Sequence, residues 1–211
     1  MQVEGRFLLR MTDYFALLAE PRRPWLEPEA LKAKFIALSA GAHPDKVHAS
    51  AEPARSAAAK AFAELNAAYH CLAEPKSRLL HFLELETGAK PRDIQQIPAG
   101  LADLFAEVAA LCRDADGFLA QKARVTSPLL RVSWFQRSQE WIDQLNALLQ
   151  KLNGLHGQLM GELKAVDAKW TVMDGPARLE ELAKVEELYR LFGYFNRWNR
   201  QIQERVVQLM L

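Results

Sequence analysis

Pro28-Glu-Ala-Leu-Lys-Ala-Lys-Phe-Ile-Ala-Leu-Ser-Ala-Gly-Ala-His43-Pro44-Asp45-Lys46 reads as a helix that ends against a proline. Pro28 suits the first helical position, where a missing N–H costs nothing, and Glu27 and Glu29 suit the positive end of the helix dipole. Leu31, Phe35, Leu38 and Ala42 recur at i, i+4, i+7 and i+11 as one apolar stripe, with Gly41 and Pro44 as the stop. A second amphipathic pattern follows from about Glu52 to Leu72, carrying Ala58, Ala61, Phe62, Leu65, Ala68, Tyr69 and Leu72. Two such helices bury their stripes by lying antiparallel, face to face across His43-Pro44-Asp45-Lys46.

The same periodicity extends to both sides. Upstream, Thr12-Asp13 offers a cap for a short helix bearing Tyr14, Phe15, Leu17 and Leu18, stopped by Pro21 and Pro24. Downstream, Gly88, Pro91, Pro98 and Gly100 crowd a polar stretch, where we place a linker. Beyond it come three longer patterns. The first holds Leu101, Leu104, Phe105, Val108, Leu111 and Cys112 and extends towards Leu119. The second runs from about Ser133 to Trp170 and the third from Pro176 onward. Helices of this size extend for roughly 50 Å at about 1.5 Å per residue, so they must lie side by side to cover their seams. Strand signals are scarce, which predicts an all-α chain: residues 1–90 as a helical-hairpin domain, 91–100 as linker, and 101–211 as an antiparallel three-helix bundle.

Composition narrows the function. The 211 residues carry 27 basic and 26 acidic side chains, and the parts before and after residue 90 have net charges of +1 and 0. Neither part has a field that would steer it to nucleic acid or to a membrane. Two cysteines, Cys71 and Cys112, are too few for a disulfide framework and lack the paired spacing of a zinc site. No stretch of about 18 uncharged apolar residues is present, and the first ten residues hold no signal-peptide core. A soluble cytoplasmic protein is expected, with no metal and no cofactor.

His43-Pro44-Asp45 alone is weak, since ordinary composition yields it in roughly one chain in a hundred of this length. Its placement adds weight. The helix pair with this loop, followed by Leu65-Asn66-Ala67-Ala68-Tyr69, Leu72, Pro75 and Arg78, resembles the J-domain of DnaJ-type co-chaperones over about residues 12–86. Arg78-Leu-Leu-His-Phe-Leu-Glu-Leu-Glu-Thr-Gly88 and Asp13-Tyr14-Phe15-Ala16-Leu17-Leu18 are similar to the HscB (Jac) branch, as is the layout of J-domain, linker and bundle. The resemblance implies a co-chaperone that stimulates the ATPase of a DnaK-type (heat shock protein 70 family) chaperone and delivers an iron–sulfur scaffold protein like IscU. It also implies a client face on the first bundle helix, which Leu104, Phe105 and Val108 match, while Ala109 and Cys112 stand where acidic residues are usual. The aromatic residue and the basic last turn that precede the tripeptide in most J-domains are replaced by Ser39-Ala40-Gly41-Ala42.

The loop also makes physical sense by itself. Pro44 fixes φ and disfavours helical geometry at His43, so a sharp turn presents polar side chains at the tip of a stiff hairpin. Asp45 held there is a good partner for an arginine on another protein, and His43 can fix the loop with a hydrogen bond. Lys34 and Lys46, with Lys32, give a modest basic rim for an acidic partner surface. Docking would act allosterically, so the chain need supply no catalytic group.

Other readings are weaker. His43 and Asp45 flank a proline and point apart, and no serine or cysteine nucleophile has a motif, which argues against an enzyme. His70 and Cys71 are adjacent on a helix and diverge by about 100°, which argues against a ligand pair. His81 and His156 read as surface or seam residues and His48 as a loop residue. Gly154, Gly157 and Gly161 suggest a close helix crossing in preference to a kink, and Arg190, Tyr194, Arg197, Trp198, Arg200 and Arg205 suggest a core helix with a basic edge rather than a nucleic-acid stripe. The alternative function is a J-like structural module that binds another protein without ATPase coupling.

Overall fold

The structure is a computed structural model that describes residues 12–42, 52–91, 100–125, 128–170 and 175–211. All regular structure among them is helical, in the order α1 (Tyr14–Leu17), α2 (Pro28–Ala42), α3 (Glu52–Ala73), α4 (Pro75–Thr87), α5 (Ala102–Lys122), α6 (Pro128–Trp170) and α7 (Pro176–Met210). The chain divides into two compact units, Met1–Lys90 and Pro91–Leu211. Most of the expected linker, 92–99, lies outside the described residues.

In the first unit α3 is the hub, packed against α1, α2 and α4. Asp13 caps α1, its Oδ1 accepting from the amides of Phe15 at 3.0 Å and Ala16 at 3.2 Å. The α2 face turned inward is rotated from the expected stripe. Leu31 and Ser39 are buried with Phe35 half-buried, whereas Leu38 stays 38 % exposed. The reason is tertiary: Phe35 stacks on Tyr69 of α3, with ring centroids 4.4 Å apart, and this contact turns Leu38 outward. Gly41 does not end the helix, which continues through Ala42.

Helix α4 follows α3 after a single residue, with its own end signals. Glu74 caps it, accepting from the amides of Lys76 at 3.2 Å and Ser77 at 2.6 Å, and Pro75 opens it. Gly88 closes it in the left-handed region at φ +71°, where a side chain would be strained. The helix buries Leu79, Phe82 and Leu83, and with them Arg78 and His81.

The second unit is a bundle whose directions follow from its contacts. Phe105 meets Trp198, Arg205 reaches Asp116, and Lys122 donates to the Leu209 carbonyl at 2.8 Å, so α5 and α7 run parallel. Phe118 lies against Trp134 and Lys151 pairs with Glu107, so α6 runs opposite to α5. Arg178 over Trp170 and His156 against Phe195 set α6 antiparallel to α7. Val108, Cys112, Ala115, Phe118, Ile142, Leu145, Leu148, Leu152, Phe195, Trp198, Ile202 and Val206 fill the shared core.

The expected glycine crossing in α6 is not formed. Gly154, Gly157 and Gly161 are exposed, and a Cβ on any of them would meet nothing within 4 Å. These glycines add backbone entropy to the unfolded chain without allowing any close approach. Replacing each with alanine should raise stability by about 0.5–1 kcal/mol. Chemical denaturation of the three single variants checks this, and a loss of stability would show that the small residues are needed for packing.

Candidate functional site

The candidate docking surface lies on α2 and on the connection from α2 to α3. His43, Pro44, Asp45 and Lys46 lie outside the described residues, as does His48. The last turn of α2 carries no basic residue. Lys32 is exposed on that helix. Lys34 is held within the unit: its ammonium lies 2.9 Å from Glu20 Oε1 and donates to the Ala19 carbonyl at 3.0 Å.

What orients α2 is anchored far away in sequence. The Arg78 side chain, 3 % exposed, donates from Nε to the Pro24 carbonyl at 2.9 Å and from a terminal nitrogen to the Leu72 carbonyl at 2.6 Å. Its guanidinium carbon sits 5.6 Å from the centre of the Trp25 ring. One turn further along α4, His81 Nε2 accepts from the Tyr14 amide at 3.0 Å, while Phe15 stacks on the ring at 5.8 Å. An accepting Nε2 requires the tautomer with its proton on Nδ1. Burial lowers the His81 pKa below its ordinary 6.5, and the pull of Asp13 in the other direction is weaker. Partial burial works to raise the Asp13 carboxyl, but the Ala16 and Phe15 amides and the Arg22 guanidinium outweigh it and hold the group below its usual value.

On the bundle, the three expected client residues separate. Phe105 is 40 % exposed with its ring 6.4 Å from Trp198, Leu104 is half-buried against the core, and Val108 is 2 % exposed inside it. Phe105 therefore offers the apolar surface, while Val108 holds α5 in place. Of the α7 arginines, Arg205 reaches across to Asp116 of α5, whereas Arg190 with Glu186 and Arg200 with Glu204 pair along α7 itself, and Trp198 is buried. Both cysteines are free thiols. Burial, aided by Glu74 and Glu84, pushes the Cys71 thiol up to about 11, and burial also raises Cys112, which leaves both poor nucleophiles. Among the described residues no three His, Cys, Asp or Glu side chains are grouped to hold a metal ion, and no helix is long and apolar enough to cross a membrane.

Comparison with known proteins gives a result in structure only. No family model matches the chain, and no curated protein matches it by sequence. Among solved structures, the chaperone HscB from Vibrio cholerae superposes with a TM-score of 0.61 at 21 % identity, covering 94 % of this chain and 99 % of its own. The human co-chaperone protein HscB superposes with a TM-score of 0.60 at 16 % identity, covering 96 % of this chain and 91 % of its own. The chain has the fold of the HscB co-chaperones. At such low identity the likeness is one of fold, and the contacts of Arg78, His81 and Lys34 become visible only in three dimensions. Arg78 and His81 stand within one run of the sequence, and only their distant partners explain them.

Two predictions follow from the anchors. Arg78→Ala leaves the Pro24 and Leu72 carbonyls without their charged donor and should cost about 2–4 kcal/mol, measured by denaturation of the full chain. His81 is proton-poor when folded, so its contribution is complete above pH 6.5 and is lost as pH falls through its lowered folded value. Stability should therefore decline as pH falls from about 6.5 through that lowered value, with a shallower decline in His81→Gln. An unchanged slope in that variant would remove His81 from the account.

Proposed function

We propose that the chain is a J-domain co-chaperone that stimulates the ATPase of a DnaK-type chaperone through His43, Pro44 and Asp45. The observation that carries this reading is the position of the tripeptide, in the connection between α2 and α3 of an HscB fold matched over nearly the whole chain. Asp45 would offer its carboxylate to a partner arginine, with Lys46, Lys32 and Lys34 meeting acidic groups around it. The chain contributes no catalytic group: docking favours the hydrolysis-competent state of the partner by binding it better than the resting state.

The bundle carries the client side of the proposal. Exposed Phe105, with half-buried Leu104 beside it, fits an apolar contact with an iron–sulfur scaffold protein of the IscU kind. Near-neutral charge and two cysteines too few for a disulfide framework suit work in the cytoplasm, away from nucleic acid and membranes. The second reading, a J-like interaction module without ATPase coupling, is favoured by one feature, the absence of any basic residue in the last turn of α2.

A steady-state ATPase assay with the cognate DnaK-type protein separates the readings. Stimulation by the unaltered chain, lost in Asp45→Asn, is expected; no stimulation, or equal stimulation by the variant, would leave the module reading. Phe105→Ala should weaken scaffold binding about tenfold or more, the cost of truncating a central apolar anchor, while leaving stimulation without scaffold unchanged. Titration calorimetry with the purified scaffold protein measures this.

A further inference from the structure

The contact between Lys34 and Glu20 has unequal partners. Glu20 is fixed, with its side chain only 9 % exposed. It follows Ala19, whose φ of +53° is unusual for a residue with a side chain, in a turn closed by the Glu20 amide donating to the Phe15 carbonyl at 2.8 Å and the Ala19 amide to Ala16 at 3.1 Å. Lys34 is on the outside, with 44 % of its side chain exposed, and can leave. An acidic surface that approaches the Lys34 side of α2 therefore finds its ammonium already engaged by a carboxylate of its own chain.

We propose that Glu20 regulates the docking surface from within the N-terminal unit, by holding the Lys34 ammonium that an acidic partner would otherwise engage. The proposal rests on the docking reading above. Partner carboxylates must replace Glu20 at Lys34, so the net gain from that contact is the difference between two ion pairs and is small. Glu20 thereby sets how much of the basic rim contributes to binding, and any change that neutralises it strengthens docking. The Ala19 carbonyl keeps Lys34 near the surface, because it holds the ammonium without neutralising it.

The test is the concentration of the full chain that gives half-maximal ATPase stimulation of the cognate DnaK-type protein, at low and high salt. Glu20→Gln should lower it about two- to fivefold at low salt, the range an exposed ion pair supplies. The gain should shrink at high salt, where exposed charges are screened. Adding Lys34→Ala should abolish the gain. In the unaltered chain Lys34→Ala should change the half-maximal concentration little. A Glu20→Gln variant that folds, by circular dichroism, and stimulates with an equal or higher half-maximal concentration overturns the proposal. If that variant does not fold, a loss of about twofold or more from Lys34→Ala alone overturns it instead. Failure of the unaltered chain to stimulate at all would bring down the docking reading itself, an outcome distinct from a stimulating chain that ignores Glu20.

Discussion

A buried guanidinium ties together the N-terminal unit. Arg78 lies between the segment before α2, the end of α3 and α4, with its charge spent on the Pro24 and Leu72 carbonyls and its plane near Trp25. Taking such an ion out of water costs several kcal/mol unless acceptors are already in place, so the three segments and the arginine are stable only together. His81 adds a neutral counterpart by receiving the Tyr14 amide at the start of α1. The direction in which α2 leaves Pro24, and hence where it carries the residues that follow, is thus set from a helix that comes later in the chain.

The bundle depends on a different constraint, the continuity of its seams. α5 is about half as long as α6, and it runs antiparallel to α6 and parallel to α7 with Lys122 at the Leu209 carbonyl. Arg205 joins the Cys112 carbonyl to Asp116 and fixes the rotation of α5 against α7. That rotation puts Val108 in the core and leaves Phe105 at the edge. A near-neutral chain of this kind spends many of its charges internally, as in Glu20 with Lys34, Glu107 with Lys151 and Glu186 with Arg190. The charge available to a partner is therefore smaller than the count of lysines and arginines suggests.

Much of the architecture was legible because it is written in local signals. Asp13 as a cap, Pro28 and Pro176 as helix starts, and the long seams of α6 and α7 could be read from spacing. Other features could not. Leu38 and Ser39 compete for the same face of α2, and the aromatic contact of Phe35 with Tyr69 decides in favour of Ser39. Glycines 154, 157 and 161 have the spacing of a helix crossing, but no neighbour approaches them. α4 was hidden because Glu74 and Pro75 follow α3 with no polar stretch to mark a break. For the candidate site, the sequence supplied the tripeptide and the rim, while the engagement of Lys34 by Glu20 was invisible.

The sequence by itself determined the helical periods, most of the helix ends and the presence of a proline-flanked acid between two amphipathic helices, because each rests on interactions within a few residues. Only the tertiary structure decided which apolar residues are enclosed, which lysine is already engaged and what Arg78 and His81 hold. Burial and ion pairing depend on partners many positions away: 54 residues separate Arg78 from Pro24, and 67 separate His81 from Tyr14. Periodicity says that a face will be covered; the packing of the other helices says by what.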